Sequence, residues 1–255
     1  QTRAAALGLV ADVVERMSGV HMVKAAAVDV GGRGLLLMGG PGSGMSRQLW
    51  SLMRQQGVRL VSADVVFVRY VGGEALADLV ERKLYIKTKW VKHEPRLATL
   101  FDRSCLENAV TEAHSNPYCD GGEQCPVTRG QGACYVASNV SRAMLDPYWL
   151  GGASRHVKRT SVRAVAYFRR EPLGAAVQPV DPGALMAELE HATVGGDSGA
   201  APTVPWLNDY IVDRSADRLD SQRRLFGRLF AAARGYAINT AQGEPEALTR
   251  QLLEL

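Results

Sequence analysis

The chain has 255 residues, of which 46% are hydrophobic and 22% are charged, proportions typical of a globular protein. No apolar run approaches the roughly 20 residues of a membrane-spanning helix, so we expect no membrane partner. The formal net charge of +4 is mild, and nucleic-acid binding usually needs a denser basic patch, so we expect no nucleic-acid partner. Residues 1–17 carry no secretory pattern, which predicts a cytoplasmic protein. Because the chain begins at Gln1 rather than at methionine, we interpret it as a fragment.

Helical and strand patterns alternate along the chain. Apolar residues recur at helical spacing in residues 1–17 and predict an amphipathic helix; they are Leu7, Val10, Val13, Val14 and Met17. A strand over residues 22–30, a glycine turn and a return strand over residues 35–38 form a predicted hairpin. Further predicted elements are a helix at 47–56, strands at 58–61, 65–70, 84–88 and 160–168, a helix at 181–191, a mobile loop at 193–205, a helix at 218–234, a strand at 236–240 and a helix at 245–255.

The return strand leads into a glycine-rich loop that nearly matches a phosphate-binding loop. The pattern G-x-x-x-x-G-K-[ST] is met at Gly39, Gly44 and Ser46, but Met45 stands where the lysine belongs. Backbone N–H groups of such a loop bind phosphates at a helix N-terminus. The predicted nucleotide-binding residues are Gly39, Gly40, Gly42, Ser43, Gly44, Met45 and Ser46. The sequence therefore predicts binding of ATP with Mg²⁺, for which Ser46 would be a ligand.

A carboxylate follows the next short strand, about twenty residues beyond the loop. Asp64 comes directly after the apolar strand predicted at residues 58–61. A residue at that position can hold Mg²⁺ or take the proton of a hydroxyl acceptor. Asp64 is therefore predicted to be both a metal ligand and a catalytic residue.

Three of the four cysteines fall in one polar stretch. Cys119, Cys125 and Cys134 are not spaced as the paired C-x2-C of a zinc ribbon, and His114 could be a fourth ligand. The stretch is either a structural metal site or a reduced loop of a cytoplasmic protein.

The hairpin, the loop and the strand that precedes Asp64 carry a family resemblance. With residues 60–68 (L-V-S-A-D-V-V-F-V), they are similar to the core of HPr kinase/phosphorylase. Later segments resemble phosphoenolpyruvate carboxykinase, which shares that core: residues 84–88 with His93-Glu94-Pro95, residues 106–110 (L-E-N-A-V), and residues 139–142 with Asp146-Pro147. The resemblance covers roughly residues 22–168. It implies that Arg142, at the position of the family's arginine, is a catalytic residue that contacts the γ-phosphate.

The resemblance implies an α/β fold of the HPr kinase and phosphoenolpyruvate carboxykinase type, a P-loop nucleotide-binding core with a mixed sheet. We predict a single kinase-like domain over residues 1–255, with an N-terminal helix (1–20), the nucleotide-binding core (22–170), the mobile loop (193–205) and a C-terminal helical region (215–255). The carboxykinase reaction is disfavoured, because that enzyme is about twice as long and has a second domain for the dicarboxylate. The implied function is ATP-dependent phosphorylation of a hydroxyl, on a small metabolite or a protein serine, in a protein that could form homo-oligomers.

The chain departs from the family pattern at two catalytic positions. Met45 replaces the loop lysine, and Ala63 replaces the first aspartate of the pair that normally ends at position 64. Loss of a positive group in phosphoryl transfer usually costs several orders of magnitude in rate. We therefore interpret the chain as an engineered or degenerate form of an active kinase. The alternatives are a catalytically dead nucleotide-binding regulator that acts through a partner, and a metal-stabilised interaction module built around the cysteine stretch.

Overall fold

The structure is a computed structural model that describes residues 2–87, 106–107, 142–191, 206 and 215–255. It divides into two compact units: residues 1–82 together with 156–255, and residues 83–155. Whether the chain functions as the single predicted domain stays a prediction. Within the described residues, no helix has both the length and the apolar character to cross a membrane.

The described residues form five α-helices and twelve strands. The helices are α1 (Thr2–Ser18), α2 (Met45–Arg54), α3 (Pro182–Glu190), α4 (Ala216–Ala232) and α5 (Pro245–Glu254). The strands are β1 (His21–Val23), β2 (Ala26–Val30), β3 (Arg33–Gly39), β4 (Val58–Ser62), β5 (Val66–Val71), β6 (Glu74–Leu79), β7 (Leu84–Lys87), β8 (Leu106–Glu107), β9 (Arg142–Leu145), β10 (Arg159–Arg169), β11 (Val177–Val180) and β12 (Arg234–Asn239).

The first unit contains a nine-stranded mixed sheet centred on β10. On one side β10 pairs in parallel with β3, which continues antiparallel to β2 and then to β4. On its other side β10 pairs first with β6, antiparallel, and then with β12, in parallel. Strands β5 and β1 extend the sheet beyond β6, and β11 extends it beyond β12. The predicted mixed sheet is therefore confirmed.

Helices pack on the sheet and bury both of its faces. Leu36 and Met38 of β3 share a buried cluster with Phe226 and Leu229 of α4. Alternate residues of a strand point to opposite faces, and α2 packs against β3 and β4 and against α5. A central strand buried on both faces reads as a continuous apolar run, which explains the Leu35 to Met38 stretch of the sequence.

Polar residues and proline set where the helices begin. Asp181 accepts a hydrogen bond from Gly183 N (2.8 Å) and precedes Pro182, the first residue of α3. Ser215 caps α4 in the same way, and Pro245 opens α5. Proline suits a first helical position because its missing N–H would have no partner there.

Several predicted elements need correction. The strand predicted over residues 22–30 is two strands, because the chain bends at Lys24 and Ala25; β1 pairs with β5, and β2 with β3 and β4. The sequence patterns do not predict strands β6, β8, β9 and β11. Helix α1 is present, but Val10, Val13 and Met17 of its predicted apolar face are exposed.

The second unit contains a small antiparallel sheet in the order β7, β9, β8. The chain leaves β9 through Asp146, which pairs with Lys83 (2.9 Å) and accepts a hydrogen bond from Tyr148 N (2.9 Å). Two short 3₁₀ turns follow, Pro147–Leu150 and Ala153–Arg155. The mobile loop predicted at residues 193–205 lies outside the described residues.

Candidate functional site

Three parallel strands of the first unit end at one edge of the sheet. Because β3, β10 and β12 run in the same direction, Gly39, Arg169 and Asn239 lie at their carboxyl ends. In open α/β sheets, ligands bind outside the carboxyl ends of the strands. The glycine-rich loop leaves β3 at this edge and enters α2 at Met45, so the predicted order of strand, loop and helix is confirmed.

Glycine is required at defined points of this loop. A Cβ on Gly39 would lie 2.7 Å from Ser43 Oγ and 2.9 Å from Phe168 O, closer than carbon and oxygen atoms approach. Gly42 and Gly44 have φ of 82° and 90°, in the region that L side chains rarely adopt. The glycines of the sequence pattern therefore correspond to the local backbone geometry.

Helix α2 begins directly after the loop without a side-chain cap. Its N-cap is Gly44, whose carbonyl accepts the first helical hydrogen bond, from Gln48 N (3.0 Å). No acidic residue lies in its first turn. The N–H groups of Met45 and Ser46 thus carry the partial positive charge of the helix N-terminus, where an anion is favoured. Ser43 Oγ is buried and has no hydrogen-bond partner among the described residues.

The end of β12 holds the loop in place. Thr240 Oγ1 donates to Ser43 O (2.7 Å), and Thr240 N donates to Arg169 O (3.0 Å). Asn239, which is 1% exposed, accepts hydrogen bonds from Glu171 N (3.0 Å) and Ala241 N (3.2 Å). These two side chains join the loop to the ends of β10 and β12. Sequence reasoning predicted the strand but not this role, because the contact between Thr240 and Ser43 joins positions 197 residues apart.

Asp64 lies in the bend between β4 and β5, close to the end of a strand as predicted. Its carboxylate pairs with Lys24, with Nζ 2.9 Å from Oδ1 and 3.1 Å from Oδ2. Ala63 is 6% exposed, and its N–H donates to Glu81 O (2.8 Å). An aspartate at position 63 would therefore be nearly buried and would need a cationic partner. Sequence reasoning missed Lys24, because its position beside the predicted metal-binding carboxylate is visible only when the pairing of the strands is known.

A second cation lies at the same edge of the sheet. Arg169, the last residue of β10, contacts Glu188 of α3 (3.2 Å) and Glu171 (3.3 Å). Burial raises the pKa of the Glu188 carboxyl, and the charge of Glu171 adds to this effect, whereas Arg169 opposes it. Arg169 is thus engaged with two carboxylates.

The other predicted site residues are placed as follows. Met45 and Ser46 are the first two residues of α2 and are partly exposed. Arg142 is the first residue of β9, in the second unit, so its proposed contact with the γ-phosphate stays a prediction. Cys119, Cys125, Cys134 and His114 lie outside the described residues. In the part of the chain that the structure describes, no three His, Cys, Asp or Glu side chains are grouped as metal ligands would be.

Comparisons with known proteins give a likeness to solved structures but no match in sequence. No protein-family model matches the chain, and no curated protein sequence matches it. Among solved structures, the chain is similar to the Hpr(Ser) kinase/phosphatase from Coxiella burnetii, with 13% identity and a TM-score of 0.35 over 63% of this chain and 71% of that one. That enzyme is of the kind that the hairpin and loop resemble, and a match at this level shows no more than that likeness.

Proposed function

We propose that the protein is an ATP-dependent phosphotransferase that acts on a hydroxyl, of a small metabolite or of a protein serine. The observation that carries the proposal is the uncapped N-terminus of α2 behind a glycine loop, at the edge where three parallel strands end. Such a loop offers backbone donors to phosphate oxygens, and the helix favours their negative charge. Residues 39–46 would bind the nucleotide in this way.

The remaining roles follow from the chemistry of the side chains. The Ser46 hydroxyl and the Asp64 carboxylate are oxygen donors of the kind that Mg²⁺ prefers, and they would hold the ion. The ion would neutralise charge on the bridging phosphates. The acceptor oxygen bonds to the γ-phosphorus as the bond to the bridging oxygen breaks and ADP leaves. The hydroxyl proton passes to Asp64, and Arg142 would balance charge on the transferred group.

We expect this activity to be impaired because of the residues at two positions of the chain. Met45 brings no charge to the phosphates, and Ala63 removes one of the two carboxylates that would divide metal binding and proton transfer between them. Asp64 must then serve both purposes, and it is held by Lys24. We therefore expect the protein to retain nucleotide binding even though its turnover is strongly reduced.

Isothermal titration calorimetry with ATP and Mg²⁺ tests the binding step. We expect weak binding and a rise in the melting temperature, because a ligand that binds only the folded state stabilises it. Ser46→Ala should weaken binding in the presence of Mg²⁺ more than in EDTA, since the hydroxyl is proposed to act through the ion. If neither heat nor a thermal shift is observed at millimolar ATP, the proposal is wrong.

A non-catalytic regulator that binds nucleotide and a partner is the second candidate. It is favoured by the Lys24–Asp64 pair, which occupies the one carboxylate left at the strand end. A regulator would bind ATP but consume none with any hydroxyl acceptor, even after Met45→Lys and Ala63→Asp together restore the loop lysine and the second carboxylate. ATP consumption by that double variant would exclude the regulator.

A further inference from the structure

Lys24 lies beside the start of the glycine loop. Strand β2 pairs antiparallel with β3 so that Ala26 is opposite Leu37. Lys24 is two residues before Ala26, and Gly39 is two residues beyond Leu37, so both lie at the same edge of the sheet. The register thus brings a cationic residue to the strand next to the loop.

The same edge carries Asp64 on the other side of Lys24. Strand β2 also pairs with β4, with Ala27 opposite Ser62, and Asp64 follows Ser62 by two residues. The ammonium contacts both carboxylate oxygens, and the two side chains are 24% and 26% exposed. Lys24 therefore lies in sequence register between the loop and the predicted metal-binding carboxylate, partly shielded from solvent.

We propose that Lys24 supplies, from the neighbouring strand, the positive charge that phosphate binding needs and that position 45 lacks. This inference rests on the proposed function. Residues 39–46 contain no cationic side chain, whereas a nucleoside triphosphate brings several negative charges. Lysine suits the role because its ammonium is a point charge with three donors on a flexible stem of four carbons.

Competition for Asp64 gives the lysine two positions. Without ligand, the ammonium pairs with the carboxylate. When a divalent cation binds Asp64, two positive charges cannot share that carboxylate without repulsion, and the ammonium turns toward the phosphates. Metal and nucleotide binding are then coupled through one side chain, and each binds more tightly when the other is present.

Substitutions at both ends of the pair test the inference through ATP affinity in EDTA, where no metal competes. Asp64→Asn removes the carboxylate charge that pairs with the ammonium, so this variant should bind ATP at least as tightly as the parent chain. Lys24→Met combined with Asp64→Asn removes the pair without leaving a charge unpartnered. It should bind ATP at least tenfold more weakly than Asp64→Asn alone.

A matched control comes from an ion pair of the same unit. Arg163 contacts Glu74 (3.1 Å), and both side chains are about half exposed. Arg163→Met should change ATP affinity by less than twofold. Lys24→Arg keeps the charge and should keep most of the affinity, which separates charge from packing; melting temperatures report whether each variant is folded.

The outcomes separate the inference from the proposed function. If the parent chain binds no ATP, the proposed function fails and the inference fails with it. If the parent chain binds ATP and the double variant matches Asp64→Asn, the proposed function stands and the Lys24–Asp64 pair is merely structural. A tenfold loss that Lys24→Arg avoids supports the inference.

Discussion

Met45 occupies the first turn of α2, where a loop lysine would meet the β- and γ-phosphates. Its thioether carries no charge, so the loop offers backbone N–H groups and serine hydroxyls but no positively charged side chain. The exposed part of its side chain leaves room for a longer cationic one, since Met45 is not enclosed by the core. A positive charge can therefore be added to the loop at position 45 without repacking the core.

Met45→Lys should strengthen ATP binding by about tenfold, the equivalent of about 1.4 kcal/mol, because a cation then meets the phosphates directly. Calorimetry on the variant and the parent chain measures the difference. If Lys24 already contributes charge, the gain should be larger in a Lys24→Met background, because the two lysines act on the same phosphates. A gain of equal size in both backgrounds would argue against shared action.

Turnover should need Ala63→Asp in addition. Position 63 is nearly buried, so the new carboxylate is stabilised only when a cation binds beside it. We expect Ala63→Asp alone to lower the melting temperature, and Mg²⁺ with ATP to restore part of the loss. The assay measures ATP consumption by the two single variants and by the double variant, with a pool of hydroxyl metabolites and peptides as acceptors. We expect consumption by the double variant only. Consumption by either single variant would contradict this dependence.

At the scale of elements, the loop is held by its neighbours as much as by its glycines. Thr240, directly after β12, donates to Ser43 O inside the loop (2.7 Å) and also contacts Arg169 O (3.3 Å). Because the hydrogen bond from Thr240 fixes the Ser43 carbonyl, it also helps to orient the N–H groups of the peptides that follow Ser43. The end of β12 thus contributes to the shape of a loop that it does not belong to.

Thr240→Val should cost about 1 kcal/mol in the free energy of unfolding, because Ser43 O loses its donor, and should weaken ATP binding. Thr240→Ser keeps the hydroxyl and should preserve most of both quantities, so it is the matched control. Urea unfolding and calorimetry measure them. If valine and serine behave alike, the hydroxyl does not hold the loop.

The elements that sequence predicted share strong local patterns. The apolar run of β3, the glycine frame and the proline starts of α3 and α5 are set by nearby residues. Strand β6 (E-A-L-A-D-L) was missed because alanine and acidic residues have low β-propensity; its pairing with β5 supplies what its composition lacks. The division of the predicted strand at Lys24 was missed because β1 and β2 pair with different strands. That pairing is determined by the assembled sheet and not by the local sequence. The Lys24–Asp64 contact depends on this same register and so could not be predicted from spacing.

At the scale of the whole molecule, a buried polar network joins the N-terminal helix to the sheet and to α4. Glu15 of α1 accepts from Met22 N (2.8 Å) and Gln222 Nε2 (2.8 Å), and Arg218 of α4 pairs with it. His21 is fully buried beside this network and its Nδ1 lies 3.1 Å from the Tyr70 hydroxyl. That hydroxyl donates its one proton to Leu225 O (2.7 Å), so His21 Nδ1 must be the donor toward Tyr70. A neutral imidazole satisfies this arrangement.

Burial lowers the pKa of His21 to about 3, and the charge of Arg218 acts in the same direction. In the unfolded chain the pKa returns to about 6.5. Below that value the unfolded state gains a proton that the folded state does not, so the contribution is complete above pH 6.5 and declines as the pH falls toward 3. The loss attributable to His21 should be about 2 kcal/mol between pH 7.5 and pH 5.

His21→Asn isolates this contribution, because the amide keeps a donor for Tyr70 but does not titrate. Burial raises the pKa of Glu15, and this acts in the opposite sense, since the folded state then retains a proton that the unfolded state releases. Glu15 is present in both proteins, so its effect is largely removed by the comparison. Urea unfolding at pH 5, 6 and 7.5 should show the stability advantage of the parent chain over the variant shrinking as the pH falls. A constant difference between the two proteins would mean that the pKa of the His21 imidazole is the same in the folded protein as in the unfolded chain.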